Sequence, residues 1–188
     1  VIGTLTPAAC ELLGLPDAVP VISTGHDTQF ALFGSGVQEN QPFLSSGTWE
    51  ILMLRTAKAS LETEDYAAGA TVEYDSKAGL LNPGLQWIAS GIIEWVKATC
   101  YNGESFDTMD AEAEKIAPGS DGVKLIPDFL PSDAVPGSIQ GLVLGRTRAH
   151  IYRAAMEALT LRLKQRLQKL EKVGGFKSTD LLLVGGGA

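Results

Sequence analysis

Asp27 stands in the run Gly25-His26-Asp27-Thr28, between the apolar stretch Val19 to Ile22 and a short helical pattern carrying Phe30, Ala31 and Phe33. A carboxylate on such a strand-to-helix corner can take the proton of an attacking hydroxyl, with His26 beside it to contact the substrate. The same corner is where aspartate caps a helix, and on this motif alone both roles stay open. Downstream, Ser45-Ser46-Gly47-Thr48 forms a polar turn between two apolar runs. Gly47 permits a left-handed turn and lets phosphate oxygens reach main-chain N–H groups, and Thr48 adds a hydroxyl donor. An ordinary hairpin turn has the same composition. The turn is not a Walker A loop, because no lysine follows and it joins strand to strand. A base followed by a cluster of donors suits transfer of a phosphoryl group onto a hydroxyl.

A third motif, Gly185-Gly186-Gly187, follows the apolar strand Leu181 to Val184. Three glycines leave a backbone with no side-chain wall, against which a base, ribose or α-phosphate can lie. A tight strand-to-helix turn reads the same way, and the spacing fails the dinucleotide fingerprint. Arg153 and Glu157, four apart, read as an intrahelical ion pair worth about 0.3 kcal/mol. Trp87, Trp95 and Tyr152 read as packing residues.

These motifs need elements to hold them. Pro7 to Leu13 predicts a helix stopped by Gly14, and Val19 to Ser23 a buried strand. Asp27 to Phe33 predicts a short helix ended by Gly34 and Gly36. Phe43-Leu44 and Ile51 to Leu54 are the strands of the hairpin, and residues 55 to 66 a polar connection. Ala70 to Tyr74 and Gly79 to Leu81 predict a second hairpin turned at Asp75-Ser76-Lys77. Leu85, Ile88, Ile92, Trp95 and Thr99 recur at helical spacing, with Pro83 near the start. Residues 107 to 117 predict an acidic helix stopped by Pro118-Gly119, Val123 to Ile126 a strand, and Leu142 to Leu144 another. The segment Pro127 to Gly137 carries three prolines and reads as a loop. The longest helix is predicted over Thr147 to Lys172, with the stripe Tyr152, Met156, Leu159, Leu163, Leu167 and Leu170. Hairpins alternating with long helices give a mixed α/β domain.

The 188 residues are 45% hydrophobic, enough for one sizeable core, and the formal net charge is -7. No Lys/Arg run offers an electrostatic footprint, which argues against nucleic acid or an anionic membrane as partner. An acidic balance still accommodates a nucleotide whose phosphates are held by Mg²⁺ and backbone dipoles. Cys10 and Cys100 have neither metal-ligand spacing nor a disulfide framework, which suits a reducing cytoplasm. No apolar stretch approaches the roughly 20 residues that span a bilayer, and Val1-Ile2-Gly3-Thr4 has no signal-peptide pattern. A strand running into glycines at Ala188, with no helix after it, leads us to expect a piece of a longer protein.

In this order, Pro20 to Asp27, Leu44-Ser45-Ser46-Gly47-Thr48-Trp49, Tyr152 to Leu159 and Leu181 to Ala188 resemble the C-terminal half of an FGGY carbohydrate kinase. Gly25 to Gly34, Ser45 to Leu52 and Gly84-Leu85-Gln86-Trp87 resemble most its L-fuculose-phosphorylating branch. The resemblance implies the actin-like, ribonuclease H-like ATPase fold, with two domains clasping ATP and sugar. It implies Asp27 as catalytic base and His26 as a substrate neighbour. Ser46, Gly47 and Thr48 match the hairpin on the transferred phosphate, and Gly185, Gly186 and Gly187 the adenosine-side turn. Residues 1–188 would then be the C-terminal domain, truncated at its end. The N-terminal domain, with its phosphate hairpin, Mg²⁺-linked acid and much of the sugar pocket, has no counterpart here. The chain alone would be inactive. The competing expectations are rhamnulokinase or another FGGY kinase, and a non-catalytic actin-like nucleotide switch.

Overall fold

The computed structural model describes residues 1–22, 25–130 and 135–186. In chain order the elements are β1 (Gly3–Thr4), α1 (Pro7–Leu13), β2 (Pro20–Val21), α2 (Asp27–Gly34), β3 (Pro42–Ser46), β4 (Trp49–Leu54), α3 (Thr63–Ala67), β5 (Thr71–Tyr74) and β6 (Leu81–Ile88). Then follow α4 (Ser90–Cys100), α5 (Phe106–Ala113), a 3-10 turn (Ser120–Gly122), β7 (Lys124–Ile126), β8 (Ser138–Gln140), α6 (Arg148–Gly174) and β9 (Leu182–Val184).

A five-stranded sheet, in the order β5-β6-β4-β3-β9, organises the molecule. Its pairings are antiparallel except β3 with β9, which run parallel. A parallel pair needs a long crossover, and here it includes the whole of α4, α5 and α6. Alternation along the strands sorts the two faces. Leu44, Leu52, Leu54, Leu85 and Trp87 join the larger core with Ile92 of α4, Met109 of α5 and Tyr152, Ala155 and Leu159 of α6. Phe43 and Met53 point the other way and form a smaller core with Leu32 of α2 and Val37. Helices therefore cover both faces of the mixed sheet.

The helix ends follow the expected chemistry. Thr6 caps α1 by accepting from Ala9 N–H, and Gly14 ends it at φ 63°. Ser105 caps α5, which starts at Phe106 and stops at Ala113, short of Pro118. Thr147 and His150 form a capping box at the start of α6, and Gly175 closes it at φ 67°.

Five expectations are corrected. The stretch from Val19 is not a buried strand: only Pro20–Val21 pairs, with Gly3–Thr4, and Ile22 is exposed. Ser23 lies outside the described residues. The helical spacing from Leu85 belongs partly to β6, and the helix begins only at Ser90. Leu85 and Trp87 are one strand period apart and both enter the core, so the period of two prevails until Ile88. Pro83, lacking an N–H, falls just beyond the stretch of β6 paired with β4. Leu142 to Leu144 is an exposed segment and not a strand. The strand is Ser138–Gln140, which ends where Gly141, at φ 77°, lets two backbones meet; a Cβ there would stand 2.2 Å from Gly122 O. Met156 leaves the apolar stripe of α6 and stands exposed. Residues 55 to 66, read as a plain connection, contain the start of α3.

Candidate active site

The hairpin between β3 and β4 is closed by the pair Ser46↔Glu50. Its tip is fastened to the start of α4: Ala89 N–H donates to Thr48 O at 3.0 Å and Ser90 N–H to Gly47 O at 3.4 Å. Gly47 N–H itself donates to Trp49 O at 3.1 Å. Gly47 does not enter the left-handed region, so the left-handed turn expected there is not used. A Cβ on it would meet only Trp49 O, at 3.6 Å, and the main chain there stays approachable.

The parallel pairing of β3 with β9 brings the glycine turn against this hairpin. Gly185, at φ 104°, sits so close that a Cβ would be 2.2 Å from Ser46 O. Gly186 is the opposite case, with nothing within 4 Å of a Cβ position, and it lines the same cleft as Ser46, Gly47 and Thr48. Gly187 lies outside the described residues. Two motifs from opposite ends of the chain thus meet at one rim.

The cleft has a volume of about 630 Å³. Beyond the rim, α4 contributes Ser90 and Glu94, α5 contributes Phe106 and Asp110, and α6 contributes Tyr152, Met156 and Thr160. Tyr152 packs as expected, but its hydroxyl also donates to Asp110 at 2.9 Å. Burial pushes the Tyr152 phenol up from its usual range, and the Asp110 carboxylate adds to the rise. Glu50 lies on the floor between Ser46 and Trp87, its cross-strand neighbours. Burial pushes its carboxyl up, against a smaller downward pull from Trp87 and Ser46. That pull is incomplete: Glu50 Oε2 and Trp87 Nε1 are both buried without a partner in hydrogen-bond geometry. Among the described residues lining the cleft, the charged side chains are Glu50, Glu94 and Asp110, and none is basic.

Asp27 is placed elsewhere. It is the first residue of α2, whose Leu32 packs on the face opposite α4 and α6. His26, not Asp27, holds the N-cap position. Thr28 N–H donates to Asp27 Oδ1 at 2.8 Å, with His26 Nδ1 a longer second acceptor at 3.3 Å. The Asp27 side chain is 93% exposed and that of His26 60%. Asp27 does not line the 630 Å³ cleft; His26 instead borders a second cavity of about 180 Å³, with Thr28, Ile51, Met53, Thr71, Glu73 and Gln86. A terminal carboxylate that spends one oxygen on a helix N–H keeps its other oxygen free for a proton.

The other sequence assignments resolve simply. Trp87 is buried, while Trp95 is partly exposed and packs on Phe129 at 4.9 Å between ring centroids. Arg153 pairs with Glu157 at 2.8 Å, and Glu157 also accepts from Gly119 N–H at 3.0 Å. Glu94, Asp110 and Glu73 were not singled out by the motifs, and Glu50 and Gln86 entered only within the runs Ser45 to Leu52 and Gly84 to Trp87, with no role assigned. Glu50 had a signal, being the one acid on the inward alternation that continues through Leu52 and Leu54. The others sit on elements whose packing partners are distant in sequence.

Residues 43–188 match the C-terminal domain of the FGGY family of carbohydrate kinases. The chain belongs to that family. It is 53% identical over 188 residues to the L-fuculokinase of Escherichia coli (strain K12), covering 100% of this chain and 39% of that protein. The L-fuculokinase of Haemophilus influenzae is 41% identical over 193 residues, with 100% of this chain and 40% of that protein covered. The chain therefore spans about two fifths of the length of the curated relatives it matches. Among solved structures, a xylulose kinase from Rhodospirillum rubrum superposes with TM-score 0.76 at 25% identity, covering 93% of this chain and 36% of that one. A ligand-bound xylulose kinase from Lactobacillus acidophilus gives 0.79 at 19% identity, covering 96% and 37%. The FGGY domain has the actin-like ATPase fold, an α/β architecture with a mixed sheet and flanking helices. No described helix is long and apolar enough to cross a membrane.

Proposed function

We propose that this chain is the C-terminal domain of a two-domain, cytoplasmic kinase that converts L-fuculose and ATP to L-fuculose 1-phosphate and ADP. The observation that carries the reading is 53% identity along the whole chain to an L-fuculokinase, supported by a cleft where the hairpin and the glycine turn share one rim.

In this reading Asp27 takes the proton of the sugar O1 hydroxyl. The freed oxygen pair forms a bond to the γ-phosphorus, and the bond from that phosphorus to the β,γ-bridging oxygen breaks, leaving ADP. His26 contacts the sugar beside the base. Ser46 and Thr48 hydroxyls and the Thr48 main-chain N–H hold the transferred phosphate, which the missing side chain at Gly47 lets approach, while Gly185, Gly186 and Gly187 form the adenosine side. The described residues hold no cluster of three His, Cys, Asp or Glu side chains able to cage a metal. A Mg²⁺ bound with the nucleotide would find only single carboxylates here, at Glu50, Glu94 or Asp110, and would need the N-terminal domain to complete its coordination. Bound there, Mg²⁺ neutralises phosphate charge that a cleft without basic side chains leaves unbalanced.

Asp27 and the cleft belong to different faces of the sheet, so the N-terminal domain must close over both to align hydroxyl and phosphate and to exclude water. The chain alone forms no phosphosugar. The complete two-domain protein, assayed with ATP against a panel of ketoses and polyols, should favour L-fuculose; a clear preference for L-rhamnulose or another sugar overturns the substrate assignment. Asp27→Asn should lower kcat by about 10²- to 10⁴-fold with the fold intact, and turnover near the original rate removes Asp27 as base.

A further inference from the structure

On the sheet face covered by α2, the register sets Met53, Gly84 and Thr71 in one cross-strand row. The middle position has no side chain. A Cβ on Gly84 would stand 3.4 Å from both Met53 Cγ and Leu52 O, and 3.6 Å from Thr71 Oγ1. Gly84 does not lie in the left-handed region, so its backbone has no need of glycine. What the glycine supplies is a hollow in the sheet surface, and a mid-strand glycine of this kind marks close approach of a ligand or another chain.

The start of α2 roofs the hollow with His26 and Thr28, giving the cavity of about 180 Å³. Gln29 Nε2 donates to Tyr74 O at 3.0 Å and fastens that roof to the edge strand β5. The walls differ in character. Ile51 and Met53 are apolar, whereas Thr71, Glu73 and Gln86 bring a hydroxyl, a carboxylate and a carboxamide. All three residues are exposed, and none of their side chains makes a hydrogen bond to protein among the described residues. Among the lining residues is His26, whose ring nitrogen is 3.0 Å from the Asp27 carboxylate.

We propose that this hollow is the part of the acceptor site that selects the sugar: Glu73 and Gln86 accept and donate to its hydroxyls, and Ile51 and Met53 receive an apolar deoxy carbon. The ligand class is a small deoxyketose, held with its reactive hydroxyl toward Asp27. This rests on the sugar-kinase reading above and adds to it the residues that choose the substrate. Thr71, Glu73 and Gln86 are exposed, so their polar contacts discriminate between sugars once closure of the N-terminal domain buries them against the ligand.

The test uses the complete two-domain protein and L-fuculose, with phosphorylation kinetics and calorimetric sugar binding without ATP. Gln86→Ala should weaken binding and raise the L-fuculose KM about tenfold, and Glu73→Ala about ten- to hundredfold. Gly84→Ala, which fills the hollow, should act in the same direction. The KM for ATP should stay within about twofold in all three, a split that a general loss of structure would not give. If the unsubstituted protein neither binds nor phosphorylates any ketose, the kinase reading fails and this proposal with it. If it phosphorylates L-fuculose and all three variants keep its KM, the kinase reading stands and the hollow is not the selecting site.

Discussion

The two faces of the central sheet carry two differently built half-sites. On the α4–α6 face, the hairpin tip is tied by main-chain hydrogen bonds to α4, and β9 locks the glycine turn onto Ser46. On the α2 face, Asp27 and His26 stand largely in solvent, held by bonds within a single helix start. Phosphate binding asks for donors already in place before the ligand arrives, so rigidity belongs there. A base must meet a hydroxyl delivered by another domain, and an exposed carboxylate on a short helix can be met from outside. The difference assigns the phosphate half of the work to this chain's own packing and leaves the acceptor half to be completed by closure.

The sharpest way to break that contrast is to loosen the rigid half. Gly185→Ala places a Cβ into Ser46 O at 2.2 Å, at φ 104°. Backbone strain and overpacking together should cost about 3 kcal/mol, which lowers Tm by about 6–12 °C for a domain of this size. Thermal unfolding of this chain checks it directly. An unchanged Tm would mean that β9 is not locked onto the hairpin. Asp27→Asn, on the exposed half, should leave Tm unchanged while abolishing most turnover of the complete enzyme.

Gly186→Ala separates structure from binding within the same turn. Its Cβ meets nothing within 4 Å, so stability should move by less than about 0.5 kcal/mol. The methyl group projects into the cleft instead, and the KM for ATP of the complete enzyme should rise about tenfold, with the sugar KM held. A stable variant with unchanged ATP kinetics would show that the nucleotide does not lie against Gly186.

Much of this division was readable in the sequence, and the parts that were not have physical causes. The hairpin, the Gly14 and Gly175 helix stops and the 27-residue α6 are signalled locally, by caps and by sustained period. The strand β6 was not, because Leu85, Ile88 and Ile92 satisfy the helical period while Leu85 and Trp87 satisfy the strand period, and only pairing with β4 and β5 decides. Leu142 to Leu144 has a strand's composition, but the close backbone approach at Gly141 ends the pairing before it. Asp27, the hairpin and the glycines were each legible as motifs. Their placement on two faces was not, since it depends on the parallel β3–β9 register across most of the chain. Gly84 shows the limit plainly: a glycine inside a strand reads as a weak residue until its cross-strand neighbours reveal a hollow.

Glu50 gives the smallest and most discriminating prediction, because it asks whether the rigid half carries a cost for its function. Burial raises its carboxyl above the ordinary value of 4.5, and Trp87 and Ser46 offset this only in part. The folded chain therefore binds more protons than the unfolded one between those two values, so Glu50 lowers stability as pH rises through that window. The deficit stays in full above it. Glu50→Gln keeps the shape and removes the charge. At pH 7 the variant should be slightly more stable than the parent, by a Tm shift of no more than a few degrees, and the difference should vanish below about pH 4, where the unfolded carboxyl is protonated too. Tm measured for both chains across pH 3 to 8 checks this. A variant that is less stable at pH 7 would mean that Trp87 and Ser46 hold the charged carboxylate well, and that the floor of the cleft is built for it at no expense. A gain at pH 7 instead marks Glu50 as a group kept at a loss in stability, the pattern expected where a carboxylate is retained for contact with ligand.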